Sequence, residues 1–88
     1  MTTREKVYQA IDSERAYQDR LWPCEGECTN NSNPLSIGEF VLLLSEYVDR
    51  AKNEWANEKK PEGKTLHVIR KIAGIAVNCM EQHGAPLR

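Results

Sequence analysis

The sequence predicts an all-α fold, a single three-helix domain spanning residues 1–88, and three observations carry that prediction. Apolar residues recur at spacings of three and four in three separate segments, the period of an amphipathic helix. Two Ser/Thr-x-x-Glu spacings, Thr2 to Glu5 and Ser36 to Glu39, mark helix starts. Gly84 with Pro86 two residues later marks a helix stop.

The first helix is expected over about 4–21 and ends ahead of Pro23. Val7, Ala10, Ile11, Tyr17 and Leu21 form its apolar stripe, and at about 100° per residue Glu14 falls in the middle of that stripe. Two explanations stay open: a carboxylate at a rim that reaches water, or one turned inward toward a cation. Residues 23–35 hold two prolines, Gly26 and the run Asn30, Asn31, Ser32 and Asn33, which predicts a loop.

The second helix is expected over 37–58. Phe40, Leu43, Leu44, Tyr47, Val48, Ala51 and Trp55 make its apolar face, and Leu35 is placed to staple onto Phe40. The third is expected over 65–83. Its apolar residues, from Leu66 to Met80, cover roughly 200° of the helix and leave a narrow polar stripe of His67, Arg70, Lys71, Gly74, Asn78 and Glu81. So wide an apolar arc predicts packing against a second copy as well as against the other two helices, with Ile69, Ile72, Ile75, Ala76 and Cys79 as contact candidates. No heptad pattern runs far enough for an extended coiled coil. The expected architecture is a hairpin of the second and third helices with the first laid across it, in a homo-oligomer.

With 40% hydrophobic and 28% charged residues, the composition is that of a folded globular chain. A net charge of -1 gives no global field for DNA or RNA, so neither is expected as a partner. The absence of a long apolar run or a leader-like segment predicts a cytoplasmic protein without a membrane partner. Three cysteines do not make a secreted disulfide framework. Cys24 and Cys28 form a lone CxxxC, which reads as two reduced loop cysteines or half of a zinc site, and Cys79 reads as a small buried hydrophobe.

The run Arg70 to Pro86 (RKIAGIAVNCMEQHGAP), with Tyr17-Gln18-x-x-Leu21-Trp22 and Ser36-Ile37-Gly38-Glu39-Phe40, resembles small phage-type relatives of the MazG-like all-α nucleotide pyrophosphohydrolases. The resemblance implies a nucleotide ligand. Catalytic members of that superfamily hold magnesium with ExxE on one helix and ExxD on the next, and cleave nucleoside triphosphates between the α and β phosphates. Glu46 and Asp49 look like the first pair, while the place of the second is taken by His67-Val68-Ile69-Arg70. Exchanging two carboxylates for an imidazole and a guanidinium removes hard oxygen ligands and adds repulsion toward a cation. Such groups suit phosphate itself, although a basic helical stripe is also what a solvated face looks like.

The leading expectation is therefore a non-catalytic nucleotide-binding protein with no cofactor. Glu14 would orient Arg70, while His67, Arg70 and Lys71 receive phosphate and Tyr17, Trp22 or Trp55 stacks on a base. In a phage setting the resemblance implies sequestration of a host immune signalling nucleotide, such as a cyclic di- or trinucleotide, in the host cytoplasm. One alternative is a magnesium-dependent pyrophosphohydrolase using Glu14, Glu39, Glu46 and Asp49. Another is a helical protein-interaction module.

Overall fold

A computed structural model describes residues 1–21, 34–58 and 63–88. It consists of three helices, α1 (Thr3–Leu21), α2 (Ile37–Asn57) and α3 (Lys64–His83), each within a residue of the span its sequence signals mark. Trp22, Cys24, Cys28 and most of the Asn-rich loop lie outside the described residues.

The helix starts follow their local chemistry. At α1 the Thr2 hydroxyl accepts from the Glu5 amide at 3.1 Å and donates to the Glu5 carboxylate at 3.0 Å. At α2 the capping box is complete: the Glu39 amide donates to Ser36 Oγ and the Ser36 amide to Glu39 Oε1, both at 3.1 Å. The start of α3 has Gly63 at φ 78°, with no side chain to cap it. Glu58 supplies the cap from the end of α2, accepting from the Lys64 amide at 3.0 Å and the Thr65 hydroxyl at 2.8 Å. Gly84 ends α3 at φ 116° and ψ 151°. That is not a left-handed helical cap but extended backbone at positive φ, a conformation essentially reserved for glycine.

α2 and α3 form an antiparallel hairpin. Glu58 ties its closed end, and at the open end the Leu35 amide donates to Gln82 Oε1 at 3.0 Å while its carbonyl meets His83 Nε2 at 2.6 Å. Phe40, fully buried, sets its ring edge-on to His83. α3 is central: α2 and α1 each pack on it.

The face that α1 presents to α3 differs from the predicted apolar stripe. Glu14, Arg15 and Gln18 are its buried residues, whereas Val7, Tyr17 and Leu21 are exposed. In projection the helix is turned by roughly 50° toward Arg15. The reason lies on α3, whose polar stripe faces inward: Gly74 and Asn78 are buried, and Lys71 and Arg70 are half-buried against α1. Polar residues on the two helices satisfy each other, and among the described residues no buried side-chain nitrogen or oxygen lacks a partner.

Of the predicted self-contact set, Ile75 is buried within the chain and has no surface to offer, Ile72, Ala76 and Cys79 are half-buried, and Ile69 is exposed. Phe40 and Ile75 are the only fully buried apolar side chains among the described residues.

Gly74 fixes the distance between α1 and α3. A Cβ there would stand 2.8 Å from Glu14 Cγ and 2.9 Å from Gln18 Nε2. Gly74→Ala should therefore cost about 1–3 kcal/mol of stability in urea unfolding, although alanine is the better helix former. Capping at α2 carries a pH dependence. Hydrogen bonds from the Ser36 amide and hydroxyl region hold the Glu39 carboxyl below its ordinary value. The stabilisation is present above the ordinary carboxylate range and is lost as pH falls through the depressed value. A Glu39→Gln chain should lack that component of acid destabilisation in thermal melts recorded across pH.

Candidate functional site

The crossing of α1 over α3 is built from charged and amide side chains. Glu14, only 4% exposed, accepts from Arg70 Nε at 3.0 Å through Oε1 and from Gln18 Nε2 at 3.0 Å through Oε2. Gln18, 2% exposed, also donates to the Lys71 carbonyl at 3.3 Å. Its Oε1 lies 3.4 Å from Arg15 Nη1. Arg15 in turn meets Glu81 Oε1 at 2.6 Å and Asp19 Oδ1 at 2.9 Å. Burial works against the charge on Arg15, but Glu81 and Asp19 more than restore it and hold its pKa above the ordinary value.

On one side of this network lies an open groove of about 410 Å³, lined by Ser13, Glu14, Tyr17, His67, Arg70 and Lys71. Five of these six are residues the sequence singles out for a ligand. Arg70 reaches the groove by its position: its stem packs between the helices, its Nε is held by Glu14, and the side chain remains 35% exposed. Glu14 holds one edge of the guanidinium through Nε, and among the described residues the terminal nitrogens of Arg70 make no hydrogen bond to protein. His67 and Tyr17 are exposed at the rim, and Tyr17 is also within cation–π range of Arg20, 5.9 Å from the ring centroid.

Charge bookkeeping makes this groove electropositive. Arg70 and Lys71 contribute two positive charges and Glu14 one negative charge, already committed to Arg70. An anion entering the groove meets an oriented fork of donors and a mobile ammonium, the combination that suits a phosphate or carboxylate. A second, apolar groove of about 450 Å³ adjoins it, lined in part by Val7, Ile11, Leu66 and Ile69 and sharing His67 and Arg70 with the first.

The four acids of the metal-dependent alternative do not converge. Glu14 is committed to Arg70, Glu39 to the α2 cap, and Glu46 to Arg50 at 3.2 Å; Asp49 lies 3.7 Å from Lys52. Glu46 and Asp49 are both exposed on α2. Among the described residues no three His, Cys, Asp or Glu side chains come together in a group that could hold a metal ion. These residues do not fit a magnesium centre of the pyrophosphohydrolase kind. Trp55 sits on α2 and does not line the groove, and Trp22 falls outside the described residues.

Sequence reasoning missed Arg15 and Gln18. A signal for Gln18 is present: Val7, Ile11, Glu14 and Gln18 are spaced by four, three and four, one continuous helical stripe once polar members are admitted. Arg15 has no such local signal, because its partner Glu81 is 66 residues away.

Comparison with family models, with curated proteins and with solved structures finds no match to this chain. No helix among the described residues is long and apolar enough to cross a membrane.

The Glu14–Arg70 pair yields a direct test. Glu14→Gln and Arg70→Met should each destabilise the protein. The double substitution should recover part of the loss, giving an interaction energy of about 0.5–3 kcal/mol in a double-mutant cycle. Strict additivity would mean that the pair contributes nothing to the fold.

Proposed function

We propose that the chain is a nucleotide-binding protein that does not turn its ligand over, with the phosphate received in the groove between α1 and α3. The observation that carries this reading is Arg70, anchored through Nε by a buried carboxylate and lining a groove together with Lys71 and His67. A guanidinium fixed in this way binds phosphate with little further ordering cost. Lys71 adds charge, His67 adds a donor at the rim, and Tyr17 offers a ring face on which a base stacks.

The resemblance to phage-type relatives of the MazG-like enzymes supports a nucleotide over other phosphate compounds. It also supports the narrower role of sequestering a host immune signalling nucleotide, a cyclic di- or trinucleotide, in the host cytoplasm. That narrower role rests on family analogy. The small apolar core supports a further element of the reading, that the working form is a homo-oligomer.

Thermal-shift screening against linear and cyclic nucleotides, with and without magnesium, tests the proposal. A binding nucleotide should raise the melting temperature without magnesium. Arg70→Ala should weaken that nucleotide by roughly 10–100-fold, the worth of charge-assisted hydrogen bonds, and also lower stability. Lys71→Ala should weaken binding with little loss of stability. Magnesium-dependent release of pyrophosphate that Glu46→Gln abolishes would overturn the non-catalytic reading, and unchanged affinity in Arg70→Ala would overturn the site.

A further inference from the structure

Along α2 runs an apolar stripe that no other described residue buries. Ile37, Val41, Val48 and Trp55 are all exposed, Trp55 at 72%. They lie within roughly 40° of one another in helical projection. Leu44 and Ala51, half-buried beside them, fill the gaps, so Ile37, Val41, Leu44, Val48, Ala51 and Trp55 follow one another at steps of four, three, four, three and four. This is the spacing of the a and d positions of a short coiled coil. Leu42 is equally exposed at 72% but projects about 100° from Val41, off the seam.

We propose that this seam is a homodimer interface, in which α2 of one copy packs antiparallel on α2 of a second. The proposal extends the oligomeric element of the functional reading and names its surface. A second copy is the occupant for two reasons. First, the described residues bury only Phe40 and Ile75 among apolar side chains, a small core to which a second copy, present wherever the chain is made, adds apolar burial.

Second, the seam complements itself in one register. With the two-fold axis at residue 46, Ile37 meets Trp55, Val41 meets Ala51, and Leu44 meets Val48, so all six positions are used and the smallest residue never faces itself. A parallel pair would stack Trp55 on Trp55 next to a gap at Ala51 on Ala51. On the solvent flank the antiparallel register brings Ser45 to Ser45 and Gly38 toward Lys52, with no like charges opposed. At 21 residues, α2 offers about 30 Å of helix for the contact. Tyr47, about 100° round the helix from Val48, lines a small cavity with Tyr17 and Leu21 of α1, and none of the six seam residues lines it.

Light scattering and cysteine cross-linking test this on the full chain. Wild type should scatter with at least twice the chain mass at micromolar concentration. Val48→Glu should weaken self-association by roughly 100-fold or more, since it buries an unpaired charge, whereas Leu42→Glu should leave it unchanged. With the three native cysteines replaced by serine, Ser45→Cys should form an intermolecular disulfide across the axis in high yield. Gly38→Cys, whose copies are separated by many residues along the antiparallel pair, should not. Should Val48→Glu fail to fold, judged by helical circular dichroism, the two cysteine variants decide the matter alone. A monomeric wild type overturns both the seam and the oligomeric reading. An oligomer in which Ser45→Cys fails to cross-link, or in which both cysteines cross-link equally, overturns the seam alone.

Discussion

The close approach of α1 to α3 at Gly74 is the constraint on which the rest of the arrangement depends. Without a side chain at that point, Glu14 and Gln18 reach across the helix crossing and lie against the α3 backbone. That proximity lets Gln18 donate to both the Lys71 carbonyl and Glu14, and it lets Glu14 hold Arg70. Each contact is local, yet together they fix which face of α1 turns inward. An apolar interface would tolerate rotation of a helix by tens of degrees, because dispersion and burial are not directional. Here hydrogen-bond geometry selects one rotation, at the expense of leaving Tyr17 and Leu21 toward solvent.

The two interfaces of α3 therefore use different physics. Against α2, Phe40 and Ile75 supply apolar burial, and the ends of the hairpin are tied by Glu58 at one and by Leu35, Gln82 and His83 at the other. Against α1, a connected network runs from Glu81 through Arg15, Gln18 and Glu14 to Arg70. Networks of this kind stabilise only when their buried members are satisfied, and among the described residues no buried side-chain nitrogen or oxygen lacks a partner. Desolvation offsets much of what the charges gain, so the network contributes orientation more than net stability.

How much of this is legible in the sequence follows the range of the interaction. Helix boundaries depend on contacts within four residues, so the capping boxes at Thr2 and Ser36 and the stop at Gly84 mark them directly. The oddity of Glu14 is legible too, because a carboxylate amid apolar spacing conflicts with its surroundings, and Arg70 on the polar edge of α3 is a cation that resolves the conflict. The rotation of α1 is not legible. It requires knowing that Gly74 and Asn78, read as part of an outward polar stripe, are instead the surface that α1 covers, and that Arg15 finds Glu81 across 66 residues. Ranking residues by hydrophobicity assigns the apolar side inward by default, and α1 is turned by roughly 50° from that assignment.

That rotation also explains how a chain of net charge -1 comes to have a groove lined by more positive than negative charge. Turning the polar stripe of α3 inward brings His67, Arg70 and Lys71 to the edge of the α1 crossing, where one wall is supplied by Ser13, Glu14 and Tyr17. If the apolar residues of α1 faced α3 instead, Arg70 would point into solvent as a flexible, fully hydrated cation, and binding an anion would cost the ordering of its side chain. Glu14 removes that cost in advance by holding Nε, and burial of Glu14 keeps water from competing for the bond. A carboxylate this close lowers the attraction of the groove for a second anion. Lys71, with no acidic partner of its own among the described residues, restores the positive balance. The same crossing thus sets both the packing angle of α1 and the charge of the groove beside it, so a substitution at Gly74 or Gln18 alters the site without touching a ligand.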